Sequence, residues 1–312
     1  MAESGILPHD RGHLLWTADE GISRLLLSSM DRWITTILAD DCIDSPLFGM
    51  GEKTTATIIA KDNGLVAGTA MVDHLIQIWA PSINIKWHAS DGKKVSIGDD
   101  IATINGDEES ILKMERSILN ILGQLSGIAT ETKKWSSIAV KQIACTRKTT
   151  WGLLDKWAVH LGGGLTHRLN REDALMIKEN DLASMDDASN DNNERIAKFI
   201  QELDVEQLNS FLEIEVRTEK EAITAAAIWQ NTHGESGHKA VIMLDNFGPE
   251  KSKQVVSQLE DMGLRDAVYL EASGNITHEK LEQWFECGID VLSTSAINRG
   301  VKPLDMSMIF GD

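Results

Sequence analysis

Between residues 141 and 178 the chain places seven lysines or arginines against three acids, Asp155, Glu172 and Asp173. That window is net +4, whereas the whole chain is −18, so the remainder amounts to −22. The cations fall in Cys145-Thr-Arg-Lys-Thr-Thr150, Gly162-Gly-Gly-Leu-Thr-His-Arg168 and Ile177-Lys178, beside apolar runs and glycines instead of along a helical stripe. Guanidinium forks pair bidentately with carboxylate or phosphate, and ammonium groups add compact point charges. Arg147, Lys148, Arg168 and Lys178 therefore read as a nest for a small, multiply anionic ligand. A solvated basic face is the plainer alternative, but it accounts less well for the glycines and the apolar neighbours.

Polar groups recur at the ends of short apolar runs. Thr146-Arg147-Lys148 closes Gln142–Thr146, Lys178 closes Ala174–Lys178, and Glu215 lies near the end of Leu212–Val216. Asp245 ends Ala240–Asp245, Ser273-Gly274 follows Ala267–Ala272, and Thr294-Ser295 closes Asp290–Thr294. Helix caps and turns would also use such residues, yet six runs delivering a polar group to one rim point to an active face. Lys178 leaves a buried strand, where it could form a Schiff base or remain a cationic clamp; the surrounding cations favour the clamp. Glu213 and Glu215 are two apart and so share one side of a strand. Pointing inward they would repel unless a cation or Mg²⁺ lay nearby, or both could sit in a polar lumen without metal while Leu212, Ile214 and Val216 face helices. The preferred reading joins Glu215 with Asp245 in a Mg²⁺ or ribose-hydroxyl site. Ser273-Gly274-Asn275 could hold a phosphate on free N–H groups, although a plain strand-to-helix turn has the same composition. Gly162–Gly164 fits either a helix C-cap or a close approach to ligand. His233 and His238 have loose metal-ligand spacing in a polar loop and are not read as a site.

These residues need a scaffold that gathers strand ends. From about residue 137 short strands alternate with amphipathic helices, for example Glu219–Trp229 and Thr277–Cys287, which implies βαβ units and a parallel sheet. A closed or nearly closed barrel fits this repetition better than an open doubly wound sheet. No GxGxxG opens a helix after a strand, which counts against a dinucleotide-binding domain. Upstream, Thr54–Ile59, Leu65–Met71, Ile83–His88 and Ile101–Ile104 read as strands of a small α+β domain, with Asp91-Gly92 as a hairpin turn. A long helix then starts at the cap Asp107, with Glu108 and Glu109 at its positive end and Ile111, Met114, Ile118, Ile121, Leu122 and Leu125 at helical spacing. Arg116 and Asn120 lie on another face of it. The acidic stretch 184–193 reads as a surface insertion or helix lead-in.

The 312 residues allow two domains, or one barrel with an appendage. Hydrophobic content of 42% with 25% charged residues is that of a soluble globular protein. No apolar run suits a transmembrane helix, and the N-terminus lacks the features of a signal peptide. Three scattered cysteines without CxxC fit a reducing cytoplasm and argue against disulfides and thiolate zinc. The acidity disfavours nucleic acid and anionic membranes as partners.

From about residue 40 to the end, the chain resembles the quinolinate phosphoribosyltransferases. The resemblance rests on Met114–Asn120, Ser126–Thr130, Thr146–Thr150, Gly162–Arg168, Ile177–Asn180, Glu213–Val216, Leu244–Phe247, Glu271–Gly274 and Ser293–Ser295, in that order. It implies an α/β protein: an N-terminal α/β sandwich (1–113) plus an incomplete, open α/β barrel (114–297), type II phosphoribosyltransferase-like, with the tail 298–312 returning to the first domain. It implies transfer of phosphoribose from 5-phosphoribosyl-1-pyrophosphate (PRPP) to quinolinate with decarboxylation, using Mg²⁺. By that resemblance Thr146, Arg147, Lys148, His167, Arg168 and Lys178 hold the pyridine carboxylates and phosphates, and Lys148, Lys178, Glu215 and Asp245 form the catalytic group. Glu215 and Asp245 lie by the ribose and Mg²⁺, while Ser273, Gly274, Asn275 and Thr294, Ser295, Ala296 cup the 5′-phosphate. Arg116 reaches into a neighbouring subunit's site, which makes the working unit at least a homodimer. Departures from the family pattern are Trp151, Asp181, Ser295, Gly51-Glu-Lys-Thr-Thr55 and the acidic insertion; none removes a cation. Rival readings are a related enzyme taking another aromatic acid, a Schiff-base lyase using Lys178, and a non-catalytic anion-binding protein.

Overall fold

The computed structural model describes residues 7–139, 142–184 and 191–311. Lys141, residues 185–190 of the acidic stretch and the first six residues of the N-terminal segment lie outside the described residues. The first half of the chain contains α1 (Arg24–Asp40), β1 (Lys53–Ala60), α2 (Thr69–Trp79), β2 (Asn84–Trp87), β3 (Asp100–Asp107), α3 (Glu108–Ser136), β4 (Ile143–Cys145) and α4 (Leu153–Leu161). The second half contains β5 (Leu175–Ile177), α5 (Glu179–Ala183), α6 (Asn192–Glu202), β6 (Leu212–Val216), α7 (Glu219–His233) and β7 (Ala240–Asp245). It closes with α8 (Gly248–Asp261), β8 (Val268–Ser273), β9 (Val291–Thr294) and β10 (Met306–Phe310). These elements form two compact units. One comprises Arg11–Ser137, Lys148–Thr166 and the chain from Ile297; the other comprises Ile138–Arg147, His167–Ala296 and the chain up to Asp10.

The first unit carries an antiparallel sheet in the order β10-β1-β3-β2. Its outer strand is the chain's last, paired from Met306↔Ala60 to Phe310↔Ala56. The helix α3 follows its sequence signals. The Asp107 carboxylate accepts the Ser110 N–H at 2.9 Å, Glu108 and Glu109 occupy the first turn, and Lys133 and Lys134 the last. All six residues of the apolar stripe are fully buried. Residue 114, where the sequence reading divides the chain, lies within α3, and the whole helix belongs to this unit.

One strand expectation fails. Leu65–Met71 is extended only at Gly64–Leu65, and α2 begins at Thr69. The cause is remote: the Asp91 carboxylate accepts the N–H groups of Gly68, Thr69 and Ala70 at 2.7, 2.9 and 3.2 Å. It satisfies three orphan donors of the first turn from more than twenty residues away.

The second unit is a half-barrel of six parallel strands, ordered β4-β9-β8-β7-β6-β5. β4 and β5 are its edges, so the sheet stays open, where the strand repetition alone suggested a closed or nearly closed barrel. The strands lie where the apolar runs placed them. Thr277–Cys287, expected as a helix, contains instead a 3₁₀ turn, His278–Trp284. The buried Leu281 and Trp284 sit three apart, the spacing that a three-residue turn eclipses. Asp191, at the end of the acidic stretch, caps α6 by accepting the Asn193 N–H at 2.9 Å.

Register separates the half-barrel's two faces. Ile177, Ile214, Ile242 and Leu270 align in one buried apolar row, covered by α7 through small residues such as Ala222, Ala225 and Ala226. On the opposite face Met176, Glu213 and Val241 align, then Glu215, Met243 and Glu271, then Asp245 and Ser273. The alternation of strand side chains thus puts the apolar set against helices and both β6 carboxylates inside.

Candidate active site

Five expected residues lie at the C-terminal ends of the parallel strands and on their inner face: Thr146 just beyond β4, Lys178 just beyond β5, Glu215 on β6, Asp245 at the end of β7 and Ser273 at the end of β8. Lys178 forms an ion pair with Glu215. Arg168 is buried; its guanidinium donates to the Ala174 carbonyl and the Met176 sulfur, each at 3.2 Å. Its Nε has no hydrogen-bond partner among the described residues. Burial holds the Arg168 pKa below its ordinary value, with Glu213 opposing and the charges of Arg147 and Arg171 adding to the depression. Like charges held near a buried guanidinium are costly unless an anion joins them.

Beneath them lies a group that sequence reasoning did not assemble. His9, His167, Glu213 and Glu271 are all buried, the two glutamates completely. The His167 Nε2 stands 3.3 Å from Glu213 Oε2 and 3.3 Å from Glu271 Oε2, and His9 Nε2 stands 2.7 Å from the same Glu271 oxygen. Burial alone would depress the His167 pKa, but the two carboxylates outweigh it and push it up to about 10. Burial likewise raises Glu271, yet His167 and His9 hold its carboxyl below the usual carboxylate range. The Arg168 N–H points at His167 Nδ1 at 2.7 Å and would face a second N–H there, so it opposes the doubly protonated ring. A proton on Nε2, directed at the carboxylates, is common to both forms. His167 is therefore not held open towards solvent as a free anion ligand; it anchors the backbone that carries Arg168. Of the four, His9 alone lacked a sequence signal; Glu271 opens the Glu271–Gly274 motif, but its pairing with His9 spans 262 positions.

The candidate phosphate loops neighbour each other after β8 and β9. Gly274 has φ 96°, and a Cβ there would come within 2.2 Å of Asn246 Oδ1, so the close approach of the β7 and β8 loops requires glycine. Asn275 Nδ2 donates to that same Asn246 oxygen at 3.1 Å. Thr294 Oγ1 accepts the Ala296 N–H at 3.1 Å and bends the chain after β9, with Ser295 between them.

Two expected site residues belong to the other unit. Lys148 is exposed, and its carbonyl accepts from Asn298 Nδ2 at 3.0 Å. Asp155, fully buried on α4, fastens the same loop by accepting the N–H groups of Thr150 and Trp151 at 2.8 and 3.1 Å and the Asn298 amide at 3.3 Å. Arg116 and Asn120 project from α3 into a cavity of about 470 Å³ whose wall includes Trp151 and Lys302. Gly162–Gly164 end α4: the N–H groups of Gly163 and Gly164 return to the carbonyls of His160 and Val159 at 2.9 and 3.0 Å. A Cβ on Gly162 would lie 2.6 Å from the Ala129 carbonyl, so this glycine serves the packing of α4 on α3. His233 bonds the Ile200 carbonyl at 2.8 Å, a structural role.

Comparison with known proteins agrees with this arrangement. Residues 34–126 match the N-terminal domain of quinolinate phosphoribosyl transferase and residues 128–309 match its C-terminal domain. The chain is 34% identical to a Methanothermobacter thermautotrophicus protein named "probable nicotinate-nucleotide pyrophosphorylase [carboxylating]", over 86% of this chain and 92% of that one. It is also 34% identical to quinolinate phosphoribosyltransferase [decarboxylating] 1 of Nicotiana glauca, over 82% and 73% of the two chains. The solved nicotinate-nucleotide pyrophosphorylase of Francisella tularensis superposes with a TM-score of 0.76 at 31% identity, covering 91% of this chain and 96% of that one. With both halves matched in order, the chain belongs to the quinolinate phosphoribosyl transferase family.

Proposed function

We propose that the chain transfers phosphoribose from PRPP to quinolinate and releases pyrophosphate and carbon dioxide, giving nicotinate mononucleotide for NAD biosynthesis. The observation that carries this reading is the polar rim at the C-terminal ends of the parallel strands, where Lys178 pairs with Glu215 and Asp245 lies beside Ser273, with the buried Arg168 guanidinium packed against β5. Both substrates are polyanions, and cations fixed in advance remove much of the cost of bringing them together.

Arg147, Arg168 and Lys178 bind the two ring carboxylates and set the pyridine nitrogen towards the anomeric carbon. The nitrogen lone pair forms the new C–N bond as the C–O bond to pyrophosphate breaks and its electrons leave with the pyrophosphate. Glu215 and Asp245 face the positive charge that develops on the ribosyl carbon and stabilise it. The ring nitrogen is then a pyridinium. The bond to the adjacent carboxyl breaks, its electron pair stays on the ring carbon, carbon dioxide departs and a proton from water replaces it. No protein nucleophile is needed. The loops Ser273–Asn275 and Thr294–Ala296 hold the 5′-phosphate.

Glu215 and Asp245 offer hard carboxylate oxygens of the kind Mg²⁺ prefers, usually one or two protein ligands completed by water and phosphate oxygens. Bound there, the ion would neutralise the leaving pyrophosphate. Arg116 acts across a subunit interface, so the working unit is a homodimer or larger, and its partners are small anions. Among the described residues no helix is long and apolar enough to cross a membrane. The Lys178–Glu215 pair suits an anion clamp and disfavours the Schiff-base lyase, whose lysine needs an apolar pocket.

The test is turnover of quinolinate and PRPP with and without Mg²⁺, following nicotinate mononucleotide and carbon dioxide. Equal amounts of both products, lost on chelation, support the reading. No product from quinolinate, but turnover of another pyridine acid, overturns it.

A further inference from the structure

The buried quartet beneath the cations contains one residue outside the matched family domains, His9, which precedes residue 34. Leu7 to Asp10 form a turn closed by the Asp10 N–H on the Leu7 carbonyl at 2.9 Å, and His9 enters the half-barrel unit fully buried. It touches the site group twice. Its carbonyl accepts the His167 N–H at 2.9 Å, and its ring donates to Glu271 at 2.7 Å. The two imidazoles meet edge to face at 5.0 Å, and Phe211 packs on the His9 ring at 5.3 Å.

His167 needs such restraint. Its φ of 53° is left-handed, a conformation that a non-glycine residue keeps only when its surroundings enforce it. The bond from its N–H to His9 fixes that peptide, and the next residue is Arg168. Glu271 needs the same partner for another reason. A fully buried carboxylate must be compensated by hydrogen-bond donors or charge, and its Oε2 is shared by the two imidazoles.

A metal ion is the competing use of this group, because ligand atoms of His9, His167 and Glu271 lie within 4.8 Å of one another. A coordinating imidazole presents a lone pair to the ion and donates its other N–H to a partner. His167 does the reverse: its Nδ1 receives the Arg168 N–H, which leaves the proton on Nε2, facing the carboxylates. The buried His9 Nδ1 finds no acceptor among the described residues either.

We propose that His9 is a positioning residue for acceptor binding: an N-terminal strap that locks Glu271 and the His167–Arg168 backbone so that the Arg168 guanidinium is presented to the pyridine carboxylate. This rests on the phosphoribosyl-transfer reading. The strap bears on Arg168 through the His167 peptide, while its ring meets the β8 strand at Glu271, two residues before the phosphate loop.

The experiment compares full-length wild type, His9→Gln and His9→Met. Both substitutes fill the space of the ring, but only glutamine keeps a donor for Glu271. His9→Met is expected to raise KM for quinolinate about tenfold, the scale of coupling within one hydrogen-bonded network, with KM for PRPP within about twofold. His9→Gln is expected to recover most of the loss. Failure of wild type to turn over quinolinate sinks the functional reading itself. An active wild type with His9→Met indistinguishable from it, or with both KM values raised alike, overturns only the strap. Stoichiometric zinc or another transition metal in the purified wild type, measured by elemental analysis, also overturns it in favour of a metal site. Should His9→Met not fold, His9→Gln alone decides: native quinolinate KM supports the donor role, and a tenfold rise contradicts it.

Discussion

Asp155→Ala separates what holds the Lys148 loop from what merely surrounds it. Asp155 accepts two backbone N–H groups, from Thr150 and Trp151, and the Asn298 amide, and is itself fully buried. Hydrogen bonds to a charged acceptor contribute about 1.5–3 kcal/mol each. Three would sum higher than the net effect, because Thr150 is exposed and can turn to water, and the contact at 3.3 Å is long. Burial also raises the Asp155 pKa despite those bonds, so burying its charge offsets part of the gain. A loss of about 2–4 kcal/mol remains, which lowers Tm by about 3–6 °C in a protein of this size. Asn298, released from Asp155, no longer fixes the Lys148 carbonyl, and kcat/KM should fall about 10- to 100-fold as the ammonium wanders. Asp155→Asn keeps one acceptor but sets an NH₂ against a backbone N–H, so it should fall between. Thermal unfolding by circular dichroism and turnover measured well below Tm are the readouts. A folded Asp155→Ala with Tm within about 2 °C of wild type and unchanged kcat/KM would refute the reasoning.

Gly274→Ala places a methyl against Asn246 at a positive φ, so KM for PRPP should rise about tenfold or more while KM for quinolinate changes little, as steady-state kinetics with each substrate varied will show. If Arg116 serves a neighbour's site, inactive Arg116→Ala and inactive Lys148→Ala should regain activity when mixed after subunit exchange; no recovery, with exchange verified by mass spectrometry, argues against a shared site. Asp91→Ala should cost about 2 kcal/mol and speed amide exchange in the first turn of α2 relative to α3, since three N–H groups lose their acceptor. Uniform exchange rates in both helices would contradict that account.

The half-barrel was legible because each of its strands is a short apolar run ending in a polar residue, and because period-two alternation put Glu213 and Glu215 on one side. Which side was open from sequence; the buried row of Ile177, Ile214, Ile242 and Leu270 decides it. α3 was legible because its cap, its dipole charges and its stripe are all local. α2 was not, because its cap is Asp91 and no local pattern reveals a carboxylate arriving from a later loop. His9 escaped for the same physical reason: a single histidine after Leu7-Pro8 gains meaning only when the fold brings it to Glu271. Gly162–Gly164 showed the limit of a motif, since their spacing suits a ligand loop and their geometry is that of a helix end packed on α3.

The central claim is that converging cations recognise a ring bearing two adjacent carboxylates. Calorimetric titration of quinolinate and of nicotinate, which has one carboxylate fewer, into wild type and Arg168→Met tests it directly. The account predicts that quinolinate binds wild type about 100-fold more tightly than nicotinate, the scale of losing a bidentate charged pair, and that Arg168→Met removes most of that margin. Equal affinity for the two acids, or a margin untouched by Arg168→Met, would contradict it.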